Sequence, residues 1–82
     1  MPNDWCVYVL RSQRNGRLYT GSTNDLRRRL DEHNRHASTY TRHAGPFDLV
    51  YEERQPDRLT ARKRERWLKT GRGREEVSAH PG

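Results

Sequence analysis

The fold is decided by residues 5–21, WCVYVLRSQRNGRLYTG, in which two apolar runs are joined by the dipeptide Asn15-Gly16. Asparagine and glycine tolerate the positive φ angles that a tight hairpin turn requires. The pattern therefore predicts a β-hairpin with Tyr8 on its first strand and Tyr19 on its second. If the turn has two residues, Ser12 pairs with Tyr19 and both tyrosines project from one face of the sheet. A longer loop with an odd shift of register would separate them.

Beyond the hairpin, the sequence predicts two helices and a third strand. A first helix is expected over about Asp25–His36, directly after residues of the kind that cap helix N-termini. Phe47–Glu52 has the apolar content of a third strand. A second helix is expected over about Asp57–Lys69, with its aspartate as the cap, because the following Thr70-Gly71 stops a helix.

The helical period places three polar residues close to the inward faces of these helices. In the first helix, Arg29 and His33 flank the inward apolar stripe. In the second helix, Glu65 lies near the inward arc and is the only acid among seven basic residues between positions 62 and 74. Trp67 falls within the inward arc, so we expect it in the core.

Length and charge limit the kind of protein and the kind of partner. The 82 residues suffice for one small domain with one core, expected over residues 1–75, followed by a flexible tail over 76–82. The net charge of +6 favours a polyanion, because lysine and arginine release counterions when they bind phosphates. Nucleic acid is the expected partner. A membrane surface is not, since no basic segment has a strongly apolar opposite face.

Cysteine usage and hydropathy indicate a cytoplasmic protein. Cys6 is the only cysteine, which rules out an internal disulfide and the usual zinc-finger frameworks. We expect it to be a small buried packing group. No apolar stretch approaches the roughly 20 residues of a membrane span, and the N-terminus lacks a signal-peptide pattern.

Five residues have the chemistry that phosphodiester hydrolysis needs. The reaction requires a deprotonated water, a cation beside the charge that develops on the phosphate, and usually a metal ion. The five candidates are Tyr8, Tyr19, Arg29, His33 and Glu65. A single carboxylate suits one largely hydrated Mg²⁺, which binds few protein oxygens and keeps its waters.

In this order and spacing, the chain resembles the GIY-YIG nuclease superfamily, and in particular its small stand-alone bacterial members, which are akin to the catalytic module of the bacterial excinuclease. Cys6-Val7-Tyr8 stands where the family has Gly-Ile-Tyr, and Tyr19-Thr20-Gly21 stands where it has Tyr-Ile-Gly. Asp25–His33 is similar to the helix that carries the family's arginine and histidine. Arg64–Lys69 is similar to the segment with the metal-binding glutamate, and Leu68–Glu75 to the ending of the small members.

The resemblance implies an α+β fold, a small three-stranded antiparallel sheet flanked by helices, and a metal-dependent DNA endonuclease that uses Mg²⁺ or Mn²⁺. It implies that Tyr8 is the general base or water positioner and that Tyr19 bonds the phosphate or the nucleophile. Arg29 would stabilise the transition state, His33 would orient or deprotonate the tyrosine, and Glu65 would hold the metal. A phenol with its ordinary pKa of about 10 is a poor base, so the scheme needs a cation nearby.

The chain departs from the family pattern at scaffold positions and near its end. Cys6 and Val7 replace the glycine and isoleucine of the first tripeptide, and Thr20 replaces the isoleucine of the second. Some family members carry an asparagine beyond the metal-binding glutamate, whereas this chain has none after Asn34.

Basic residues are expected to form a rim that follows the phosphate backbone, and a chain without a separate sequence-reading domain should recognise DNA structure more than sequence. A protein partner could add specificity, and DNA repair or recombination is the expected setting. The rim candidates are Arg27, Arg28, Arg35, Arg42, Arg62, Lys63, Arg66 and Lys69.

Other interpretations remain open from the sequence. The chain could be a binding module of the same fold with little or no catalysis, or it could act on RNA, since nothing in the sequence reads a 2′-hydroxyl. Each tyrosine could be a packing residue, and Glu65 could simply pair with a neighbouring basic residue on its helix. The pattern His33-x-x-His36 is a weak zinc signal because no cysteine or placed acid accompanies it.

Overall fold

The computed structural model describes residues 4–35 and 45–79. It has a three-stranded antiparallel sheet with strand order β2-β1-β3 and three helices. The expected α+β class, a small antiparallel sheet flanked by helices, is confirmed. In chain order, the elements are β1 (Trp5–Ser12), β2 (Leu18–Thr23), α1 (Leu26–Asn34), β3 (Phe47–Gln55), α2 (Arg58–Leu68) and α3 (Gly71–Ala79).

The hairpin of β1 and β2 has a longer loop than a two-residue turn. Leu10 pairs with Tyr19, so the predicted pairing of Ser12 with Tyr19 is wrong by two residues. The cause is Ser12, whose buried hydroxyl accepts hydrogen bonds from the backbone N–H of Arg14 and of Asn15, each at 3.1 Å. Because the shift is even, the two tyrosines still share a face, as expected.

Each of the first two helices begins at an aspartate. The side chain of Asp25 accepts a hydrogen bond from the N–H of Arg28 at 3.1 Å, and Asp57 accepts one from Thr60 at 2.8 Å. These bonds satisfy N–H groups that have no partner within the helix. The caps fix where α1 and α2 leave the sheet, and therefore which of their side chains face it.

The central strand β1 is buried on both faces, as its sequence indicates. On one face, Val7 and Val9 pack with α2 and α3 through Ala61, Leu68 and Val77. On the other face, the core consists of Tyr8, Leu10 and Phe47, with Tyr19 and the α1 residues Leu26 and Leu30 packed against it. The sheet therefore separates a helical layer of α1 from a layer of α2 and α3.

Helix α3 extends into the segment for which a flexible tail was expected. It continues to Ala79, and Val77 is only 7% exposed because its side chain completes the core under α2. A Cβ on Gly73 would overlap the backbone of Leu68, so glycine allows this close approach of α3 to α2. Residue 75 is therefore not the end of the ordered domain.

Two further expectations about packing need correction. Trp67 is not in the core; it is 38% exposed, and the Arg64 guanidinium lies over its ring, 4.5 Å from the centroid. The tryptophan lies outside because Ala61 and Leu68 already fill the inward side of α2. Cys6 is half-buried and not fully enclosed. No helix among the described residues is long and apolar enough to cross a membrane.

Candidate functional site

A cleft of about 550 Å³ lies along the edge strand β2 and brings together all five candidate residues, Tyr8, Tyr19, Arg29, His33 and Glu65. Side chains from β1, from β2 and from all three helices line it. The two tyrosines belong to the face that packs on α1, whereas Glu65 comes from α2 on the opposite face. The cleft therefore wraps around the sheet edge, and β2 is the wall that both groups share.

Tyr8 is the buried centre of this cleft. Its hydroxyl lies 3.2 Å from Nε2 of His33, and its side chain is 4% exposed. Burial raises the pKa of the Tyr8 phenol, and the Glu65 charge adds to the rise, while hydrogen bonding and charge from Arg29 lower it. A phenolate at Tyr8 is therefore disfavoured in the protein alone, and positive charge near the hydroxyl would favour it.

His33 and Arg29 surround the Tyr8 hydroxyl from α1. Burial, with a contribution from the Arg29 charge, lowers the pKa of His33, so the imidazole is neutral at pH 7. In the tautomer with Nε2 unprotonated, His33 accepts the hydrogen bond that the Tyr8 hydroxyl donates. The hydrogen bond with Tyr8 raises the pKa of Arg29, which also donates to Glu32 at 3.0 Å. One neutral acceptor and one fixed cation thus face the phenol.

Gly21 explains how Tyr8 can lie over β2. The two residues are direct partners in the β1–β2 ladder, and a Cβ on Gly21 would lie 2.5 Å from the Tyr8 hydroxyl and 2.7 Å from the ring carbon that bears it. The ring is rigid and buried, so it could not move aside without losing its position next to His33. Glycine is thus the residue that lets the phenol reach the sheet edge.

Replacing Gly21 with alanine is expected to displace the Tyr8 ring and to lower the free energy of unfolding by about 1–3 kcal/mol, as overpacking does. Urea unfolding measures the change. Gly71→Ala is the matched control, because a Cβ there meets nothing within 4 Å. Equal stabilities of the two variants would contradict this explanation of the glycine.

Glu65 reaches the cleft from α2 with both carboxylate oxygens occupied. The Ser22 hydroxyl donates to Oε1 at 2.7 Å, and Lys69 Nζ donates to Oε2 at 2.9 Å. The Glu65 side chain is 21% exposed, whereas that of Lys69 is 53% exposed. The serine contact ties α2 to β2, and the lysine contact lies towards solvent.

The donors around Glu65 fit a hydrated divalent cation and not a fully protein-bound one. Among the described residues, no group of three histidine, cysteine, aspartate or glutamate side chains is close enough to hold a metal. Mg²⁺ nevertheless binds commonly through one or two carboxylates and keeps several waters. The Glu65 carboxylate, at the open side of a polar cleft, matches that requirement.

Tyr19 forms the wall between the cleft and the hairpin. Its ring packs edge-on against Phe47 with centroids 5.4 Å apart, and Asn15 Nδ2 donates to its hydroxyl at 3.5 Å. The ring is therefore fixed by packing, while the hydroxyl end lies at the open side of the site. This placement suits a hydroxyl that contacts a bound phosphate.

The predicted basic rim coincides with the cleft only in part. Arg62 and Lys69 line it, and Arg74, which was not predicted, lines it as well. Arg42 and His36 lie outside the described residues. The remaining rim candidates do not line the cleft, namely Arg27, Arg28, Arg35, Lys63 and Arg66.

Ser22 is the other contributor that the sequence interpretation missed. It was grouped with the residues that precede the first helix, but it belongs to β2, and Asp25 is the cap. Strand alternation offers the signal, because Ser22 follows Gly21 and must face the opposite side of the sheet, where α2 packs. Cys6 is not part of the cleft, and burial and the nearby Glu52 raise its thiol pKa, which makes it a poor nucleophile.

Comparison with known proteins supports the same assignment of the fold. A family model described as the GIY-YIG catalytic domain matches residues 4–76. The solution NMR structure of the UPF0213 protein from Bacillus halodurans superimposes with a TM-score of 0.58 at 33% identity, covering 96% of this chain and 86% of that one.

Curated relatives are similar over most of this chain. The UPF0213 protein of Desulfotalea psychrophila is 45% identical over 67 residues, which are 79% of this chain and 60% of that protein. The UPF0213 protein of Xanthomonas campestris strain 8004 is 43% identical over 68 residues, which are 82% of this chain and 65% of that protein. The chain thus spans about three-fifths of the length of these relatives.

Proposed function

The chain belongs to the GIY-YIG catalytic domain family, and we propose that it is a metal-dependent endonuclease that hydrolyses phosphodiester bonds in DNA. The observation that carries the proposal is the cleft itself. It places a buried phenol beside a neutral imidazole and an arginine, with a carboxylate across the edge strand. A packing role for Tyr8 would not need both polar neighbours at its hydroxyl.

Tyr8 is the base in this scheme. Its hydroxyl is oriented by His33 at 3.2 Å, and the phenolate takes the proton from the attacking water. His33 is neutral at pH 7 and can accept the phenolic proton through Nε2. Arg29 lowers the Tyr8 pKa against the effect of burial, so it helps to form the base that burial alone would suppress.

Arg29 also serves the transition state. The guanidinium is held near Tyr8 by α1 and by Glu32, so its charge is in place before the substrate arrives. A fixed cation beside a phosphate that gains negative charge lowers the barrier without reorganisation. Tyr19, at the other side of the cleft, hydrogen-bonds the same phosphate.

Glu65 would hold the divalent cation, Mg²⁺ or Mn²⁺. When bound, the cation would supply positive charge to the leaving oxygen and to the phosphate. Ser22 orients the carboxylate by its hydrogen bond to Oε1, so that the position of Glu65 is fixed by β2 as well as by α2. Such outer contacts keep a metal-binding side chain in one rotamer.

The nucleic-acid backbone is proposed to run past Arg62 and Lys69 into a second groove. This groove of about 590 Å³ is lined by Arg17, Leu18, Tyr19 and Arg74, and it shares Leu18, Tyr19 and Arg74 with the cleft. Its two arginines carry charge that could meet phosphates on one side of the scissile bond. Contacts of this kind hold the backbone and do not read bases, which fits weak sequence specificity.

A double variant Arg17→Gln/Arg74→Gln is expected to lower the slope of log affinity against log salt by about 2, at about 0.9 per lost phosphate contact. Fluorescence anisotropy with a labelled duplex, in EDTA, measures it. Lys63→Gln/Arg66→Gln removes the same charge from α2 outside the cleft and should change the slope less. The opposite ranking would place the backbone on the outer rim that the sequence predicted.

The polymer and the activity are tested together by incubating the protein with labelled single-stranded, duplex, flapped and branched DNA, and with matched RNA. Reactions contain Mg²⁺, Mn²⁺ or EDTA. Cleavage of flapped or branched DNA with metal, and none in EDTA, is the expected result. Binding without cleavage in every metal would favour a non-catalytic binding module, and faster RNA cleavage would reassign the substrate.

A biological setting in DNA repair or recombination follows as part of the proposal, because enzymes in these processes recognise branched or damaged structures more than sequence. A protein partner could select the site, since the described residues contain no second domain for reading bases. A strong preference for one short duplex sequence in the cleavage panel would contradict this part.

A further inference from the structure

Lys69 shares the Glu65 carboxylate with the place where a cation would bind. Its Nζ lies 2.9 Å from Oε2, while the other oxygen is taken by the Ser22 hydroxyl. One turn of α2 separates the two charged residues, the spacing at which glutamate and lysine pair. In the protein alone, the ammonium therefore neutralises the carboxylate that the proposed function assigns to the metal.

The two partners of Glu65 differ in how easily they can leave. Ser22 lies on β2 in a partly buried contact, and its hydroxyl is neutral. Lys69 follows the last residue of α2, and its side chain is about half exposed. An exposed ion pair of this spacing is weak, and the flexible lysine stem can move to another partner.

A second partner for Lys69 lies in the same cleft. Lys69 lines the cleft together with Tyr8, Arg29 and Glu65, where the phosphate to be cleaved would bind. An ammonium that leaves Glu65 therefore does not have to leave the site to find an anion. Resting on the proposed function, we propose that Lys69 moves from Glu65 to a substrate phosphate when a divalent cation binds.

This exchange couples the two ligands. Without nucleic acid, Lys69 competes with the cation for Oε2 and weakens its binding. Without the cation, Glu65 holds Lys69 and weakens its contact with the phosphate. Each ligand therefore favours the other, and the two effects must be equal in magnitude because coupling between binding sites is reciprocal. Lys69 is a positioning residue whose role depends on what Glu65 holds.

The first arm of the test measures cation binding without nucleic acid. Mn²⁺ is titrated into wild type, Lys69→Gln, Lys63→Gln and Glu65→Gln, and free Mn²⁺ is followed by electron paramagnetic resonance. Lys69→Gln is expected to bind Mn²⁺ about fivefold more tightly than wild type, since a like charge at the carboxylate is gone. Lys63→Gln is the matched control, on the same helix and with the same loss of charge, and should change affinity less than about twofold.

The second arm measures coupling. Binding of a labelled flapped duplex is followed by anisotropy, with and without Mn²⁺, in a Tyr8→Phe background that prevents cleavage. With Lys69 present, Mn²⁺ is expected to raise DNA affinity several-fold. With Lys69→Gln, DNA binding is weaker and the gain from Mn²⁺ is smaller. Lys63→Gln is expected to keep the gain.

The outcomes separate this inference from the proposed function. If Glu65→Gln loses Mn²⁺ but Lys69→Gln binds it no more tightly than Lys63→Gln does, the exchange is wrong and the metal site stands. An undiminished gain from Mn²⁺ in Lys69→Gln overturns the exchange in the same way. If Glu65→Gln binds Mn²⁺ as well as wild type does, the metal is held elsewhere and both proposals fail.

Discussion

Replacing Tyr8 with phenylalanine should slow cleavage about 10³-fold at saturating metal, because a positioned general base contributes roughly 10²–10⁴ to such reactions. The substitution keeps the ring that packs with Leu10 and Phe47 and removes only the hydroxyl next to His33. DNA affinity and stability should therefore change little. Single-turnover cleavage and urea unfolding measure the two effects separately.

The control for this substitution is Tyr51→Phe. The Tyr51 hydroxyl donates to Glu53 on β3, and this residue does not line the cleft. Its loss should leave cleavage within about twofold. Equal losses in the two variants would show that the protein is sensitive to a lost hydroxyl as such, and that Tyr8 is not the base.

The pH dependence of cleavage follows from the pKa of Tyr8. Burial raises this pKa, so the phenolate is the minor form at neutral pH and increases about tenfold per pH unit below the pKa. Wild-type cleavage should rise with that slope through neutral and weakly alkaline pH. The rise should be absent in Tyr8→Phe. An identical slope in Tyr8→Phe would place the titrating group elsewhere.

Replacing Arg29 with glutamine should slow cleavage about 10²- to 10³-fold, the effect of removing a fixed group that stabilises charge in the transition state. The variant should also shift the pH profile to higher pH, because Arg29 lowers the Tyr8 pKa against burial. Single-turnover rates between neutral and alkaline pH test both effects.

The neighbouring Arg28 provides a matched control for Arg29. It lies on the same helix, pairs with the same Glu32, and has a 68% exposed side chain that does not line the cleft. Arg28→Gln should retain cleavage within about threefold, a change typical of a surface charge. A comparable loss in both variants would attribute the effect to net charge or to α1 as a whole.

The sequence was sufficient for the elements of this fold and for the sides on which they pack. Apolar runs on both sides of Asn15-Gly16 predict the hairpin, and two aspartates mark the starts of helices that were expected there. The register was not predictable, because it depends on the buried Ser12 hydroxyl that closes the loop. A side chain that replaces backbone hydrogen bonds leaves no periodic signal.

For the site, residue order was informative and the surroundings were not. The five candidates were identified from the sequence and lie around one cleft, but their roles remain proposals. The contacts of Ser22 and Lys69 with Glu65 could not be ranked without distances, because many hydroxyls and basic side chains have suitable spacing. Helical periodicity also placed Trp67 inside, although the space there was already filled.

The most direct test of the central claim compares wild type with Glu65→Gln in a titration of Mg²⁺ or Mn²⁺ on flapped and branched DNA. The amide keeps the size of the side chain and can still accept from Ser22, but it loses the charge that would hold a cation. We predict metal-dependent cleavage by wild type and loss of at least about 10²-fold in Glu65→Gln at every metal concentration. Undiminished cleavage by Glu65→Gln would contradict the account, because the chemistry would then not depend on this carboxylate.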